Sequence, residues 1–502
     1  MSRVLLSIGA VQIVIMLVAL VRAKVLSVLL GPAGYGVAST IDQTVLSTMQ
    51  LAHLSLPFTA MKFMARRHSD GHDAFERTYA TFFRALSLLA LIAVAVVGAL
   101  LVWRPGLFGN DLVAYRPILF IAILGVPAAM LNILFVNTLA SAQRGASSAM
   151  VNMCVLAALA LAAIVGVQAN GIAGLYVATA IAGVVTTVGT VWYLRRTLGV
   201  HVTARTNGLV RELRASPEIV TYALMIYAAM SAYSLTMLAI RYFAFNTLGA
   251  TAAGLLQAAL GIALTAGAVV TPMNGLFLTP YLNRQLPLEE KARAANDFAG
   301  KVLALFVIGG VVVALFPSTV ISLLFSSRFT AVAATLFLFV IWQCLYQFAN
   351  VYLQLLIGLD DVAYASAATF FAYGVTALFF HVLIARFGIA GVALSLCLTV
   401  LVQLLAILAR LRVRFAVGIA SRVWVRTAYA VAVIAGAGTL ISHAAPAGGF
   451  ASELGLRGFA IRLLYAILAV AMMALLLDPS ERALVAGLAR RIRPRAARPV
   501  AG

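Results

Sequence analysis

The chain has 502 residues, of which 63% are hydrophobic and 10% charged, and a formal net charge of +21. Soluble globular proteins carry about 25% charged residues, so this composition excludes soluble enzymes, soluble nucleic-acid-binding modules and secreted disulfide scaffolds. The mean hydropathy of +1.04 indicates an integral membrane protein.

The first segment, MSRVLLSIGAVQIVIMLVALVRAK, has a basic start followed by a long apolar run. It lacks the small-residue cleavage site of a signal peptide, and its apolar run is too long for one. We therefore expect a retained first transmembrane helix.

Apolar windows of about 20 residues, the length that crosses a bilayer, recur along the whole chain. They lack the period-two alternation of β-barrel strands, so we expect an all-α integral membrane protein with about 14 transmembrane helices. The predicted spans are 5–30, 37–61, 79–103, 112–142, 146–167, 172–194, 217–247, 251–281, 298–316, 331–357, 362–385, 389–409, 424–443 and 459–477.

The basic residues are distributed unevenly between the two predicted sides of the membrane. With the N-terminus inside, 27 of the 36 lie on the inner side, 6 on the outer side and 3 within spans. The positive-inside rule then predicts a multi-pass protein of the bacterial inner (plasma) membrane with both termini cytoplasmic. The RRIRPRAARP tail is expected to contact anionic lipid, so the charge requires no nucleic acid.

The sequence repeats at a separation of about 217 residues. GIAG occurs at 171–174 and again at 388–391, and GPAGYG at 31–36 matches GATAAG at 249–254. A lone GIAG would be only a small-residue packing motif, but several matches at one offset predict two six-helix lobes. The expected units are an N-terminal lobe (1–200), a C-terminal lobe (201–415), two additional transmembrane helices (416–480) and a basic cytoplasmic tail (481–502). Six is even, so the pseudo-two-fold axis lies along the membrane normal.

The arginine in the first helix followed by the glycine-rich turn, R22-AKVLSVLL-GPAGYG, together with the repeat and the GIAG turns, resembles a known family. The resemblance is to the oligosaccharide-lipid (Wzx-type) flippases of the multidrug/oligosaccharidyl-lipid/polysaccharide exporter superfamily, over roughly residues 1–415. It implies a V-shaped cavity between two lobes and transfer of an undecaprenyl-diphosphate-linked glycan. The two extra helices depart from the commoner twelve-span pattern, whereas some lipid II flippases of the superfamily have fourteen spans.

Ionisable residues inside the membrane are costly and are functional candidates. Arg22 and Arg241 lie nine and eight residues before Gly31 and Gly249, so they share a depth in opposite lobes. Guanidinium groups bind phosphate oxygens through paired charge-assisted hydrogen bonds, so Arg22, Arg241 and Lys24 are candidate ligands for a diphosphate. Alternatively, Lys24 and Arg22 extend towards the outer headgroups.

Asp42 is the single acidic residue in the interior of a predicted span. It can pair with Arg22 or Lys24, or bind a coupling proton or sodium ion. His53 falls on nearly the same helical face and is either part of that site or a packing residue. Pro57 and Pro272, in helices 2 and 8, are candidate hinges or static kinks.

Amides in the spans can bond sugar hydroxyls or hold helices together. They are Gln12, Asn132, Asn137, Asn152, Gln257, Asn274, Gln343, Gln347 and Asn350. The cysteines Cys154, Cys344 and Cys397 show neither disulfide nor metal-ligand spacing and are expected to pack in apolar surroundings. We expect no cofactor or metal, with proton or sodium coupling left open, and a monomer that contacts membrane lipids and other polysaccharide-assembly membrane proteins.

The expected function is a flippase that carries a polyprenyl-diphosphate-linked oligosaccharide to the outer leaflet, by alternating access, for O-antigen or exopolysaccharide export. A lipid II flippase is the alternative, since its cargo has the same diphosphate and polyprenyl groups. Cation-coupled drug efflux is less favoured because the membrane region holds three bases against one acid. An enzyme is not expected, because the outer loops are short and carry no carboxylate pair or metal-ligand constellation.

Overall fold

The computed structural model describes residues 2–104, 106, 110–206, 208–215, 217–274, 278–444, 453 and 455–476. Over these residues the chain is helical, with no strand. The helices are α1 (Ser2–Ala52), α2 (Leu56–Ser69), α3 (His72–Trp103), α4 (Asn110–Val113), α5 (Arg116–Ile123), α6 (Val126–Ser141), α7 (Gly145–Leu198), α8 (Leu209–Arg214), α9 (Pro217–Met273), α10 (Thr279–Leu282), α11 (Leu288–Leu315), α12 (Pro317–Leu324), α13 (Ala333–Gly358), α14 (Val362–Phe387), α15 (Ile389–Phe415), α16 (Ser421–Ala444) and α17 (Leu456–Leu476). A 3₁₀ turn, Ser327–Val332, joins α12 to α13.

Eleven helices in the described part of the chain are long and apolar enough to cross a membrane. This confirms an all-helical, multi-pass architecture. Three of the spans, Val14–Ala52, Gly145–Leu198 and Pro217–Gly267, contain 39, 54 and 51 residues. At about 1.5 Å per residue each is far longer than a hydrocarbon core of roughly 30 Å, so none can be one straight crossing.

Each of these three long helices contains a backbone break at a glycine. Gly31 has φ 63° and ψ −179°, Gly249 has φ 84° and ψ 169°, and Gly171 has φ 53° and ψ −139°. Gly388, between α14 and α15, has φ 57° and ψ −131°. Positive φ is accessible to glycine at little steric cost. The two glycine pairs matched in the sequence repeat thus have nearly the same backbone conformation.

The chain reverses direction at the break in α7. A Cβ atom placed on Gly174 would lie 2.0 Å from the carbonyl oxygen of Gly166, eight residues earlier. In a straight helix two such residues are roughly 12 Å apart along the axis. The equivalent turn between α14 and α15 has the same close approach, since a Cβ placed on Gly391 would lie 2.0 Å from the carbonyl oxygen of Leu383.

The most extensive interhelical contact joins α1 to α9. At its centre a Cβ on Gly36 would lie 1.9 Å from the oxygen of Ala250, and one on Gly254 would lie 1.9 Å from the oxygen of Pro32. The two repeated glycine-rich segments therefore cross backbone to backbone. Only residues without a side chain allow helices to approach this closely.

Three predicted spans differ from the observed helices. The span predicted over 251–281 extends past Met273, where α9 ends. The span predicted over 37–61 ends at Ala52, because Leu54 and Ser55 take positive φ values of 50° and 56° before α2 begins. The span predicted over 112–142 is divided into α5 and α6, each with a proline in its first turn. Proline is favoured there because the first helical N–H groups have no partner within the helix.

The two C-terminal helices, α16 and α17, pack on α11, and α16 also packs on α13. Arg426, which falls within the predicted span 424–443, is 2% exposed. Its Nε donates a hydrogen bond to the carbonyl oxygen of Leu476 at the end of α17, at 3.0 Å. This base therefore joins the two added helices to each other.

Candidate functional site

The described part of the chain contains a cavity of about 580 Å³, the large cavity. It is enclosed by both arms of α1 together with α5, α6, α7 and one residue of α9. Its walls are mainly apolar, so the few polar side chains define what it can bind. These are Arg22, Tyr35, Ser39, Asp42, Asn132, Tyr176, Thr179 and Gln257.

Arg22 and Asp42 face each other across this cavity. The break at Gly31 folds α1 back on itself, which brings Arg22 Nη2 to 3.5 Å from Asp42 Oδ2 although the residues are 20 positions apart. Their side chains are 37% and 46% exposed, so the pair borders the cavity and is not sealed in the protein. Arg22 Nε is buried without a hydrogen-bond partner. Because the guanidinium bonds only Asp42 among the described residues and its side chain is partly exposed, its other terminal N–H groups remain available to an anion.

The second oxygen of Asp42 is held by α7. The hydroxyl of Tyr176 lies 2.8 Å from Asp42 Oδ1 and 2.7 Å from the carbonyl oxygen of Ala38. A phenol has one hydrogen, which here faces two acceptors. Asp42 is thus fixed between a base on one arm of the hairpin and a phenol on a neighbouring helix.

Arg241 approaches the same place from α9. It lies close enough to Asp42, Tyr35 and Tyr233 to interact electrostatically with each, and Tyr35 interacts in the same way with Arg22. Its Nε is buried and has no hydrogen-bond partner. The structure therefore brings together Arg22, Asp42 and Arg241, which are far apart in sequence.

Lys24 lies outside this cluster. Its Nζ donates a hydrogen bond to the carbonyl oxygen of Ser322 in α12 at 2.6 Å, and it does not line the large cavity. Residues two apart on a helix point about 200° apart, so Arg22 and Lys24 cannot share a face. Lys24 instead holds the first helix against α12.

His53 and the two prolines occupy positions that the sequence did not reveal. His53 is 2% exposed, and its Nδ1 accepts a hydrogen bond from the backbone N–H of Ser55 at 3.1 Å. It thus provides a hydrogen-bond acceptor for the backbone where the chain breaks between α1 and α2, away from Asp42.

Pro57 lies in the first turn of α2, and its carbonyl oxygen accepts a hydrogen bond from Asn137 Nδ2 at 3.0 Å. Pro272 precedes the last residue of α9, and its side chain lies outside the described residues.

The amides divide between two uses. Asn132 and Gln257 line the large cavity. Asn137 and Gln347 hold helices together, the latter through the oxygens of Gly267 and Thr271. Gln12 has a side chain outside the described residues. Hydropathy cannot separate these uses, because both place an amide in an apolar helix.

Tyr35 and Tyr176 are site residues that the sequence reasoning missed. Tyr35 belongs to the GPAGYG segment and contacts Phe325 and Phe329 edge-on, with ring centroids 5.9 and 5.8 Å apart. Its place in the repeated turn is a signal that could have identified it. Tyr176 comes directly after GIAGL, but its contact with Asp42 depends on how α7 packs on α1.

No protein-family model and no curated protein sequence matches the chain. Among solved structures, it is similar to "Lipid II flippase MurJ, inward closed conformation", with a TM-score of 0.65, 12% identity, and coverage of 94% of this chain and 98% of that one. It is also similar to an inward-facing multidrug resistance MATE family transporter of the MOP superfamily, with a TM-score of 0.61, 15% identity, and coverage of 86% and 99%. The outward-facing conformation of a MATE family transporter gives a TM-score of 0.55, 14% identity, and coverage of 86% and 96%. At these identities the likeness establishes a fold shared with these three structures.

Proposed function

We propose that this chain is a flippase that moves a polyprenyl-diphosphate-linked oligosaccharide from the cytoplasmic to the outer leaflet for surface polysaccharide export. The observation that carries the proposal is the convergence of Arg22 and Arg241 on Tyr35 beside the large cavity, with Asp42 as the neighbouring carboxylate. A diphosphate has two or more negative charges and needs such guanidinium donors. Among the described residues Arg22 hydrogen-bonds only Asp42 and Arg241 hydrogen-bonds no protein group, so both keep N–H groups for phosphate oxygens.

The proposed architecture has fourteen membrane crossings in two six-helix lobes, 1–200 and 201–415, with α16 and α17 added. If the chain reverses at Gly31, Gly171 and Gly249, the three long helices supply six crossings, and the eleven spans become fourteen. The matched conformations of the repeated glycines support the lobe repeat. An even number of crossings puts both termini on one side, and the 27 to 6 distribution of bases favours the cytoplasm.

Alternating access of the two lobes would open the cavity to each side in turn. The Gly36–Gly254 crossing and the packing of Tyr35 on Phe325 and Phe329 join the proposed lobes at the predicted outer end. These contacts support closure of that end, with cargo loaded from the inner side.

Asp42 has two candidate roles within this proposal. As a carboxylate it balances the two arginines while no cargo is bound. Protonated, it would donate to the Tyr176 oxygen, and the Tyr176 hydroxyl would then donate fully to the carbonyl of Ala38. That rearrangement leaves no group unpaired, so the site can also accept a coupling proton.

A lipid II flippase fits the geometry equally well. Its cargo contains the same diphosphate and polyprenyl groups, and the solved lipid II flippase covers 94% of this chain, against 86% for the MATE structures. Drug efflux fits less well, since cationic drugs call for carboxylates and the cluster has two bases and one acid. Growth of cells depleted of their own lipid II flippase, with and without this chain, separates the two flippase cargoes.

The arginine site is tested by measuring surface glycan export in the native host. Arg22→Gln and Arg241→Gln each remove a charged donor and should lower export about tenfold or more, whereas the Lys variants keep part of it. Lys24→Gln is the matched control, because Lys24 bonds Ser322 outside the cavity. Parental export by both Gln variants at normal membrane levels would refute the proposal.

A further inference from the structure

A second cavity, of about 350 Å³, lies between α9, α13, α14 and α15, with Gln50 of α1 at its edge. Its lining differs from that of the large cavity, because it contains no charged side chain. Three tyrosines, Tyr233, Tyr346 and Tyr373, line it. The cavity therefore has an aromatic, electrically neutral lining with several polar groups.

Most polar side chains in this cavity have no protein partner. Among the residues that the structure describes, no hydrogen bond joins the three tyrosine hydroxyls, Asn350 or Ser366 to another protein group. The Oε1 atom of Gln50 is buried and likewise unpaired. By contrast, Gln403 donates to the Thr369 hydroxyl at 2.8 Å.

Unpaired polar groups at membrane depth are expensive. Leaving a hydroxyl or amide without a hydrogen bond in an apolar region costs several kcal/mol on hydrocarbon scales, so such groups pair with other protein groups, water or a ligand. Here several such groups surround one space. The cavity is therefore suited to a molecule rich in hydrogen-bonding groups.

Because the cavity lining carries no charge, we expect the molecule that binds there to be uncharged. Ions and phosphate groups call for opposite charges, which the lining does not offer. The rings of Tyr233 and Tyr373 meet edge-on with centroids 5.4 Å apart, and Tyr346 lies near both. An aromatic face packs on the C–H face of a sugar ring, while phenol and amide groups bond its hydroxyls. A neutral sugar matches both features.

The two cavities are linked through Arg241. This arginine interacts electrostatically with Tyr35 and Asp42 of the large cavity and also with Tyr233 of the second. Tyr233 lies eight residues, about two helical turns, before Arg241 on α9, further from the break at Gly249. A molecule whose phosphates contact Arg241 can therefore extend other groups into the second cavity.

We propose that the second cavity is a subsite for uncharged sugar residues of the cargo, distinct from the arginine cluster that binds its diphosphate. This inference rests on the proposed function, since it assigns the glycan part of the same cargo. Tyr346, Tyr373 and Asn350 are its recognition residues.

The test uses full-length protein in lipid nanodiscs and native mass spectrometry. The probes are farnesyl diphosphate and three derivatives that carry glucose, galactose or N-acetylglucosamine on the diphosphate. At least one sugar probe should bind wild-type protein about tenfold more tightly than farnesyl diphosphate, as expected for one or two additional net hydrogen bonds. Tyr346→Phe, Tyr373→Phe and Asn350→Leu should each remove several-fold of that preference and leave the affinity for farnesyl diphosphate unchanged.

The matched control is Tyr364→Phe, on α14 but outside the cavity, where the hydroxyl donates to the carbonyl oxygen of Ala406. It should leave the sugar preference intact. If no sugar probe outcompetes farnesyl diphosphate on wild-type protein, or if the three cavity variants keep the full preference, the subsite is refuted. Arg22→Gln separates this result from failure of the proposed function, because it should weaken all four probes together. Unchanged binding of all four would overturn the diphosphate site itself.

Discussion

The backbone contact at Gly36 and Gly254 predicts that a side chain at either position lowers the stability of the protein. Replacing Gly36 by alanine would place Cβ 1.9 Å from the oxygen of Ala250 and 2.7 Å from the nitrogen of Gly254. Cβ atoms almost never come within 3.0 Å of such atoms. Because both obstacles are backbone atoms of α9, a rotamer change cannot relieve the overlap. The helices must therefore separate by about 1 Å, against the close packing of protein interiors.

Overpacking of this kind costs about 1–3 kcal/mol, and a backbone obstacle favours the upper end of that range. Gly374→Ala is the matched control, since it lies within α14 and a Cβ there has no atom within 4 Å. That substitution should be neutral or stabilising by about 0.5–1 kcal/mol, because alanine favours a helix more than glycine does. Purified variants are compared by thermal unfolding in one detergent, followed by tryptophan fluorescence.

Gly36→Ala should unfold about 2–3 °C below the wild-type protein, while Gly374→Ala should match or exceed it. Gly254→Ala should behave like Gly36→Ala, because its Cβ would lie 1.9 Å from the oxygen of Pro32. Equal melting temperatures for Gly36→Ala and Gly374→Ala would show that the two glycine-rich segments are not in backbone contact.

Two further predictions concern single carboxylates. Asp42→Asn should accumulate normally, because the half-exposed pair with Arg22 is worth at most about 1 kcal/mol and asparagine still accepts from Tyr176. Removing the negative charge should raise the affinity for farnesyl diphosphate about fivefold in a native mass spectrometry titration. Glu453→Gln should lower the unfolding temperature, since the buried carboxylate accepts from the Thr319 N–H and hydroxyl, both at 2.8 Å, in the first turn of α12. The expected loss is about 2 kcal/mol.

Each of these two predictions would be contradicted by a different measurement. A marked fall in the abundance of Asp42→Asn would mean that the Arg22 pair is structural, and unchanged affinity would mean that Asp42 does not influence the anion site. For Glu453, the double variant with Arg462→Gln should be less destabilised than the two single losses added together, because Arg462 Nη1 lies 4.0 Å from Glu453 Oε1. Simple additivity would show that the two side chains do not interact.

The sequence alone determined the helical, multi-pass architecture. A membrane-spanning helix must satisfy its backbone internally over about 20 apolar residues, so the information is local and can be read by composition. The apolar windows over 362–385 and 389–409 correspond to α14 and α15 within a few residues. The repeated glycines were equally readable, since a sharp reversal between helices needs a positive φ that glycine accommodates.

Only the tertiary structure decided which polar side chains meet. Arg22 and Lys24 look alike in the sequence, yet one borders the large cavity with Asp42 and the other bonds Ser322 of α12. Asn350 and Gln347 lie one turn apart on α13. Asn350 is unpaired in a cavity, whereas Gln347 joins two helices. The reason is that hydropathy records depth in the membrane, whereas the direction in which a side chain points depends on the rotation of each helix. That rotation is set by packing against helices that are distant in sequence.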